Sequence, residues 1–293
     1  MALFTGVGAA MVTPFGKDGN IDYNVLERYI EHLISGGVSA LIPFGTTGEP
    51  ATVTTDEYKR GIEFVVKKAA GRVPVIVGAG SNSTAVACER AKTVKSLGAD
   101  AVLVVTPYYN KCTQRGIVEH YKAVAKVGSP VIVYNVPTRT CVNILPKTIA
   151  ELAKIDGIIG IKEASGDIDQ FQDAAKVCLE TGFDMYCGDD SLTTIAMALG
   201  CLGIISVAAN PAPKYMSELT ELCMKNDYKS ARALQFKLSE FIHSLFCEVN
   251  PIPVKKAMQL IGFEVGVPRL PLTELEPEHV ARLSAAMKEV GLI

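Results

Sequence analysis

Lys162 lies in the segment 158–165 (IIGIKEAS), a short apolar run bounded by Asp156-Gly157 and Ser165-Gly166. Such a run reads as a buried parallel strand that delivers one amine to its C-terminal end. Burying an unpaired ammonium is costly, and desolvation favours the neutral amine, which is a nucleophile toward a carbonyl. Schiff-base chemistry at Lys162 is therefore the leading expectation. The plain alternative is a strand-end lysine that reaches water.

A second group is 134–140 (YNVPTRT). Strand alternation would turn Tyr134 into the same interior as Lys162 on the adjacent strand, so phenol and amine could meet and the phenol could relay a proton during carbinolamine formation and dehydration. Arg139 offers a fork for a carboxylate, although an arginine alone is more often a surface ion-pair residue. The segment 45–49 (GTTGE) places Thr46 and Thr47 in a turn whose amides and hydroxyls suit a small carboxylate, or else simply cap the next helix. Residues 106–110 (TPYYN) set Tyr108 and Tyr109 side by side, a pairing at home in a subunit interface. Gly160, two residues before Lys162, would leave space below the amine for a ligand. Strand ends also carry Gly188-Asp189-Asp190 and Ile205-Ser206. The Asp pair could hold an ion through water, but a helix N-cap is the simpler reading. His32, His120, His243 and His279 all fall in predicted helices, so no metal and no cofactor is expected.

The elements that must position these residues alternate. Eight candidate strands (5–13, 40–45, 73–79, 101–107, 130–136, 158–163, 184–188 and 203–208) are separated by helical patterns near 22–35, 55–70, 83–97, 114–126, 146–155, 168–181, 191–199 and 212–225. Asp22, Thr54-x-x-Glu57 and Asp167 supply start signals. Eightfold alternation predicts a parallel sheet, and closing it into a (β/α)8 TIM barrel satisfies every strand edge. An open doubly wound sheet is disfavoured because the first strand-to-helix connection has no G-x-G-x-x-G cradle. Helical patterns near 227–247, 251–261 and 276–290 follow, so a barrel over 1–225 with a C-terminal helical appendage over 226–293 is expected, its loop around 263–273 packing on the barrel or on a partner. In such a barrel the site forms at the C-terminal strand ends, where the residues above lie.

Composition agrees with a globular protein. The chain has 293 residues, 48% hydrophobic and 20% charged, with 29 basic and 31 acidic side chains and a net charge of −2. No basic stripe suits a phosphate backbone, so nucleic acid is excluded as an expected partner. Residues 1–14 lack a basic n-region and read as a first strand, and no apolar run reaches about 18 residues, so a cytoplasmic location without a membrane is expected. The eight cysteines form no C-x-x-C pair and read as buried reduced thiols.

Taken in order, GTTGE, TPYYN, YNVPTRT, IIGIKE and GDD resemble the dihydrodipicolinate synthase family of pyruvate-dependent class I aldolases and lyases, over nearly the whole chain. The resemblance implies that Lys162 forms an imine with pyruvate and that the enamine attacks L-aspartate 4-semialdehyde, giving 4-hydroxy-tetrahydrodipicolinate for lysine (diaminopimelate) biosynthesis. It implies proton shuttling by Tyr134 with Thr46 and with Tyr109 of an adjoining subunit, carboxylate binding by Thr46, Thr47 and Arg139, and backbone from Gly188 and Ile205 near the imine. It also implies a homotetramer built from two dimers. Members acting on N-acetylneuraminate or keto-deoxy sugar acids share the lysine and tyrosine but are not expected to share the Thr-Arg pair at 138–139; a non-catalytic oxo-acid sensor is the reading from another class. Some members bind lysine through a glutamate and histidines. Here Asn82 and Tyr108 are present, but Val86, Thr55 and Tyr58 stand at those positions, so weak or absent lysine feedback is expected.

Overall fold

Short runs of Val, Ile, Leu and Ala, buried on both faces, can satisfy their backbones only by pairing with each other under a cover of helices. The computed structural model, which describes residues 2–293, arranges them so. The elements are β1 (Gly6–Ala10), α1 (Tyr23–Ser35), β2 (Ala40–Ile42), α2 (Thr55–Ala69), β3 (Ile76–Gly78), α3 (Thr84–Ser96), β4 (Ala101–Val105) and α4 (Gln114–Ala125). They continue with β5 (Val131–Asn135), α5 (Pro137–Thr140), α6 (Pro146–Leu152), β6 (Ile158–Glu163), α7 (Ile168–Thr181), β7 (Asp184–Cys187), α8 (Thr193–Ala198), β8 (Gly203–Ser206) and α9 (Pro213–Met224). Three further helices follow: α10 (Tyr228–Ser244), α11 (Ile252–Leu260) and α12 (Pro277–Val290).

All strand pairings are parallel, in the order β2-β1-β8-β7-β6-β5-β4-β3. The sheet closes where the chain at β2 meets that at β3, the Leu41 amide donating to the Pro74 carbonyl at 2.9 Å and the Gly78 amide to the Pro43 carbonyl at 3.0 Å. This is the (β/α)8 barrel expected from the alternation. All three start signals act as caps: Asp22 accepts from the amides of Asn24 and Val25, Thr54 and Glu57 form a reciprocal capping box, and Asp167 accepts from those of Asp169 and Gln170.

Alternation along the strands sorts side chains into two layers. Val131 and Val133 pack outward under the helices. Ile132 and Tyr134 turn inward with Ile42, Leu103, Tyr186 and Ile205. Phe4 stacks on Tyr186 with ring centroids 4.3 Å apart and accepts the Tyr186 hydroxyl on its carbonyl, filling the N-terminal end.

Several strands stop short of their expected limits, and the reasons lie at the site. Beyond β2, Phe44 takes a φ of 55° and Thr46–Gly48 wind into a 3₁₀ turn. Beyond β8, the amides of Val207 and Ala208 donate to Asp190 Oδ2 at 2.9 Å instead of to a neighbouring strand. The short helix α5 follows β5 directly, with Pro137 at its first position.

The loop around 263–273 packs on the barrel. Lys255 Nζ and Glu49 Oε1 form an ion pair at 2.8 Å, both side chains almost fully buried. The Arg269 amide donates to Glu49 Oε2 at 2.8 Å, and the Arg269 guanidinium lies over the Phe15 ring and pairs with Glu57. Of the cysteines, Cys178, Cys187, Cys201 and Cys223 are buried thiols, but Cys88, Cys112 and Cys247 are only partly covered and Cys141 is exposed.

Candidate active site

Lys162 and Tyr134 are register partners on β6 and β5. Equal depth and equal facing put the Lys162 Nζ 4.3 Å from the centroid of the Tyr134 ring. Lys162 is only 5% exposed, and among the described residues no carboxylate forms an ion pair with its amine. Behind it, Glu163 faces the helices: Oε2 accepts from Asn135 Nδ2 at 2.9 Å and Oε1 from the Ser165 amide at 2.7 Å. Burial raises the Glu163 carboxyl above its ordinary range, against those two hydrogen bonds. Asn135 and Glu163 are themselves register partners, so this outward network clamps the strand pair that carries amine and phenol inward.

Above the amine opens a cavity of 290 Å³, lined among others by Thr46, Thr47, Thr138, Arg139, Ser165 and Asn250. That volume suits a substrate of a few heavy atoms plus an adduct. The 3₁₀ turn brings Thr46 and Thr47 to its wall; α2 is capped by Thr54, so the GTTGE turn is not needed as a helix cap. Arg139 on α5 reaches the rim, donating from Nη2 to the Asn250 carbonyl at 3.1 Å. Gly188 also lines the cavity, because a Cβ there would stand 2.6 Å from Lys162 Cε.

A match to the family model described as dihydrodipicolinate synthetase spans residues 3–290. The chain belongs to the dihydrodipicolinate synthetase family. Among its relatives, the 4-hydroxy-tetrahydrodipicolinate synthase of Thermoanaerobacter sp. (strain X514) is 46% identical over 295 residues, covering 100% of this chain and 99% of the relative. The dihydrodipicolinate synthase of Thermotoga maritima superposes with a TM-score of 0.98 at 42% identity, covering 100% of both chains. The chloride-inhibited dihydrodipicolinate synthase of Acinetobacter baumannii, solved in complex with pyruvate, gives a TM-score of 0.96 at 42% identity over 99% of each chain.

Within this member of the dihydrodipicolinate synthetase family, most residues singled out from the sequence converge: Lys162, Tyr134, Thr46, Thr47, Arg139 and Gly188 all line one cavity. Two do not. Tyr109 is 89% exposed with a φ of 74°, turned to solvent and outside the cavity of its own chain. Ile205 packs in the barrel interior with Tyr134 and Tyr186, and Val207 is the β8-side residue that reaches the cavity.

Gly160 leaves no ligand space below the amine. A Cβ there would meet the Asp184 carbonyl oxygen at 2.7 Å, so the residue is small because β7 passes close by. Asp189 is a cap, as the simpler reading held, accepting from the Ser191 amide at 2.9 Å. Asp190 is a buried anchor: burial pushes its carboxyl up to about 6, while Oδ2 gathers the Val207 and Ala208 amides.

Sequence reasoning missed Asn250, Glu49 and Lys255. Asn250 meets Thr47 across 203 positions and Lys255 meets Glu49 across 206, separations that no local pattern reveals. The only local hint was a charged Glu49 closing a turn otherwise built for tight packing.

Proposed function

We propose that the protein is a Schiff-base lyase that condenses pyruvate with L-aspartate 4-semialdehyde to 4-hydroxy-tetrahydrodipicolinate in lysine biosynthesis. One observation carries the reading: a buried amine, without a carboxylate partner among the described residues, stands 4.3 Å from a tyrosine ring at the floor of a small cavity ringed by threonines and an arginine.

Lys162 Nζ attacks the pyruvate C2 carbonyl, and loss of water from the carbinolamine gives the imine. Removal of a C3 proton gives the enamine, whose C3 forms the new carbon–carbon bond with the aldehyde carbon. The amine of the second substrate then displaces Lys162 at the imine carbon, closing the ring and freeing the enzyme. Tyr134 moves protons in these steps with Thr46, and Thr46 and Thr47 hold the pyruvate carboxylate. Arg139, at the rim, takes the second carboxylate, which favours aspartate semialdehyde over a keto-deoxy sugar acid or N-acetylneuraminate. Main chain at Gly188 borders the imine, and Ile205 packs in the barrel interior below it.

We assign residues 1–225 to the catalytic barrel and 226–293 to a helical unit, which contributes Asn250 to the same cavity. A homotetramer of two dimers, with Tyr109 entering the neighbour's relay, is supported by that residue's 89% exposure. No described helix is long and apolar enough to cross a membrane, in keeping with a cytoplasmic enzyme.

Borohydride reduction in the presence of pyruvate should add mass at Lys162; an unmodified Lys162 peptide rules the imine out. Pyruvate-dependent consumption of aspartate semialdehyde, against keto-deoxy sugar acids, tests the substrate. Mixing Lys162→Ala with Tyr109→Phe subunits should restore activity that neither has alone, and failure to do so removes the role of Tyr109 across the interface.

A further inference from the structure

Asn250 sits on the turn before α11, outside the barrel, yet it is only 6% exposed and touches both elements assigned to carboxylate binding. Its Nδ2 donates to Thr47 Oγ1 at 2.9 Å, and its main-chain carbonyl accepts from Arg139 Nη2 at 3.1 Å. Its Oδ1 is buried and meets no hydrogen-bond partner.

A hydroxyl has one proton to give and two lone pairs to offer. With the Asn250 amide occupying a lone pair of Thr47, the hydroxyl proton stays available for the cavity that Thr47 lines. With the amide turned over, Thr47 would spend that proton on Oδ1, and a buried NH₂ would be left unpaired in place of a carbonyl oxygen. The two orientations predict opposite behaviour when position 250 can only accept.

We infer that Asn250 is a positioning residue of the reaction: its side-chain amide directs the Thr47 hydroxyl proton at the pyruvate carboxylate, while the main-chain carbonyl at the same position holds Arg139 toward the second carboxylate. One residue of the C-terminal segment thereby ties the two substrate subsites together. The inference rests on the reading above, in which Thr47 holds pyruvate.

The test reads the pyruvate concentration that half-saturates borohydride trapping at Lys162, with the second substrate left out. Asn250→Ala should raise it roughly tenfold, the worth of one hydrogen bond. In a Thr47→Val background the same change should raise it less than about twofold, since the route through Thr47 is already gone. Asn250→Asp, close in shape but able only to accept, should be worse than Asn250→Ala. Equal fold-changes in both Thr47 backgrounds would show that Asn250 acts through general packing and overturn the inference. So would an Asn250→Asp enzyme that binds pyruvate as well as the unaltered one. Absence of trapping in the unaltered protein would instead overturn the imine reading, and this inference with it.

Discussion

Replacing Gly188 by alanine presses directly on the Lys162 side chain. The added Cβ would stand 2.6 Å from Lys162 Cε and 2.7 Å from the Ala164 Cβ. Carbon contacts are ordinarily about 3.5–4.0 Å, so one partner must yield by about 1 Å. Lys162 Cε is near the far end of a flexible side chain and yields more readily than a strand. A reacting group misplaced by about that much costs on the order of 10²-fold in rate, or about 3 kcal/mol of barrier. Gly160→Ala is the control. Its Cβ would meet the Asp184 carbonyl oxygen at 2.7 Å and the Asp184 Cβ at 2.9 Å, and a paired strand can relax only by disturbing its ladder. Overpacking of that kind costs roughly 1–3 kcal/mol, or a few degrees of melting temperature. Gly188→Ala should thus lose kcat and trapping rate by about 10²-fold and also melt somewhat earlier, since the Ala164 Cβ yields only with its backbone, while Gly160→Ala should melt earlier with a smaller loss of trapping rate. A Gly188→Ala enzyme with kcat within about threefold of the parent refutes the argument that this glycine makes room for the amine.

Tyr134→Phe removes the proton relay but not the nucleophile, so turnover should fall by roughly 10²–10⁴-fold while borohydride still modifies Lys162; full turnover would exclude the phenol from the chemistry. Lys255→Met leaves Glu49 buried without its partner, which should cost on the order of 3–5 kcal/mol in urea unfolding, and the Glu49→Gln, Lys255→Met pair should recover part of it. An unshifted unfolding midpoint for Lys255→Met would count against the pair as the anchor of that loop. The Asp190 carboxyl, raised by burial from 3.8 to about 6, binds its proton more tightly in the folded chain. That contribution to stability is complete below pH 3.8 and is lost as pH rises through about 6, a swing of the order of 3 kcal/mol at most. Asp190→Asn should lack this component, so superimposable pH profiles between pH 4 and 7 would contradict it. Sub-millimolar lysine should not inhibit, because exposed Val86 and the Tyr58 hydroxyl, which donates to the Gly78 carbonyl at 2.8 Å, offer no carboxylate to an ammonium. Strong inhibition in the coupled assay would reverse that view.

Local sequence carried the barrel because its determinants are short-ranged. Apolar runs such as 101–105 and caps such as Thr54-x-x-Glu57 act within a few residues, and eight repetitions leave little freedom of topology. Lys162 and Tyr134 were legible for the same reason: period-two alternation sets facing, and neighbouring strands in a barrel share depth. Where the chain departs from regular geometry the reading failed. Gly160 looked like ligand space, but what lies opposite it is the backbone of β7, a matter of strand spacing. Tyr109 and Ile205 came from the resemblance and not from strand alternation; in the single chain one faces solvent, as a residue offered to a neighbouring subunit would, and the other the barrel core.

What the chain wrote into adjacent residues, then, was the barrel, its helix starts and the meeting of amine with phenol. Tertiary structure alone decided which distant side chains hold the turn at 45–49. Asn250 reaches Thr47, and Lys255 reaches Glu49, only after more than 200 intervening residues have closed the barrel and folded the last helices back over it. Hydrogen bonds and buried ion pairs of that span leave no periodic trace, since they depend on where two distant backbones arrive and not on what surrounds either residue in the chain.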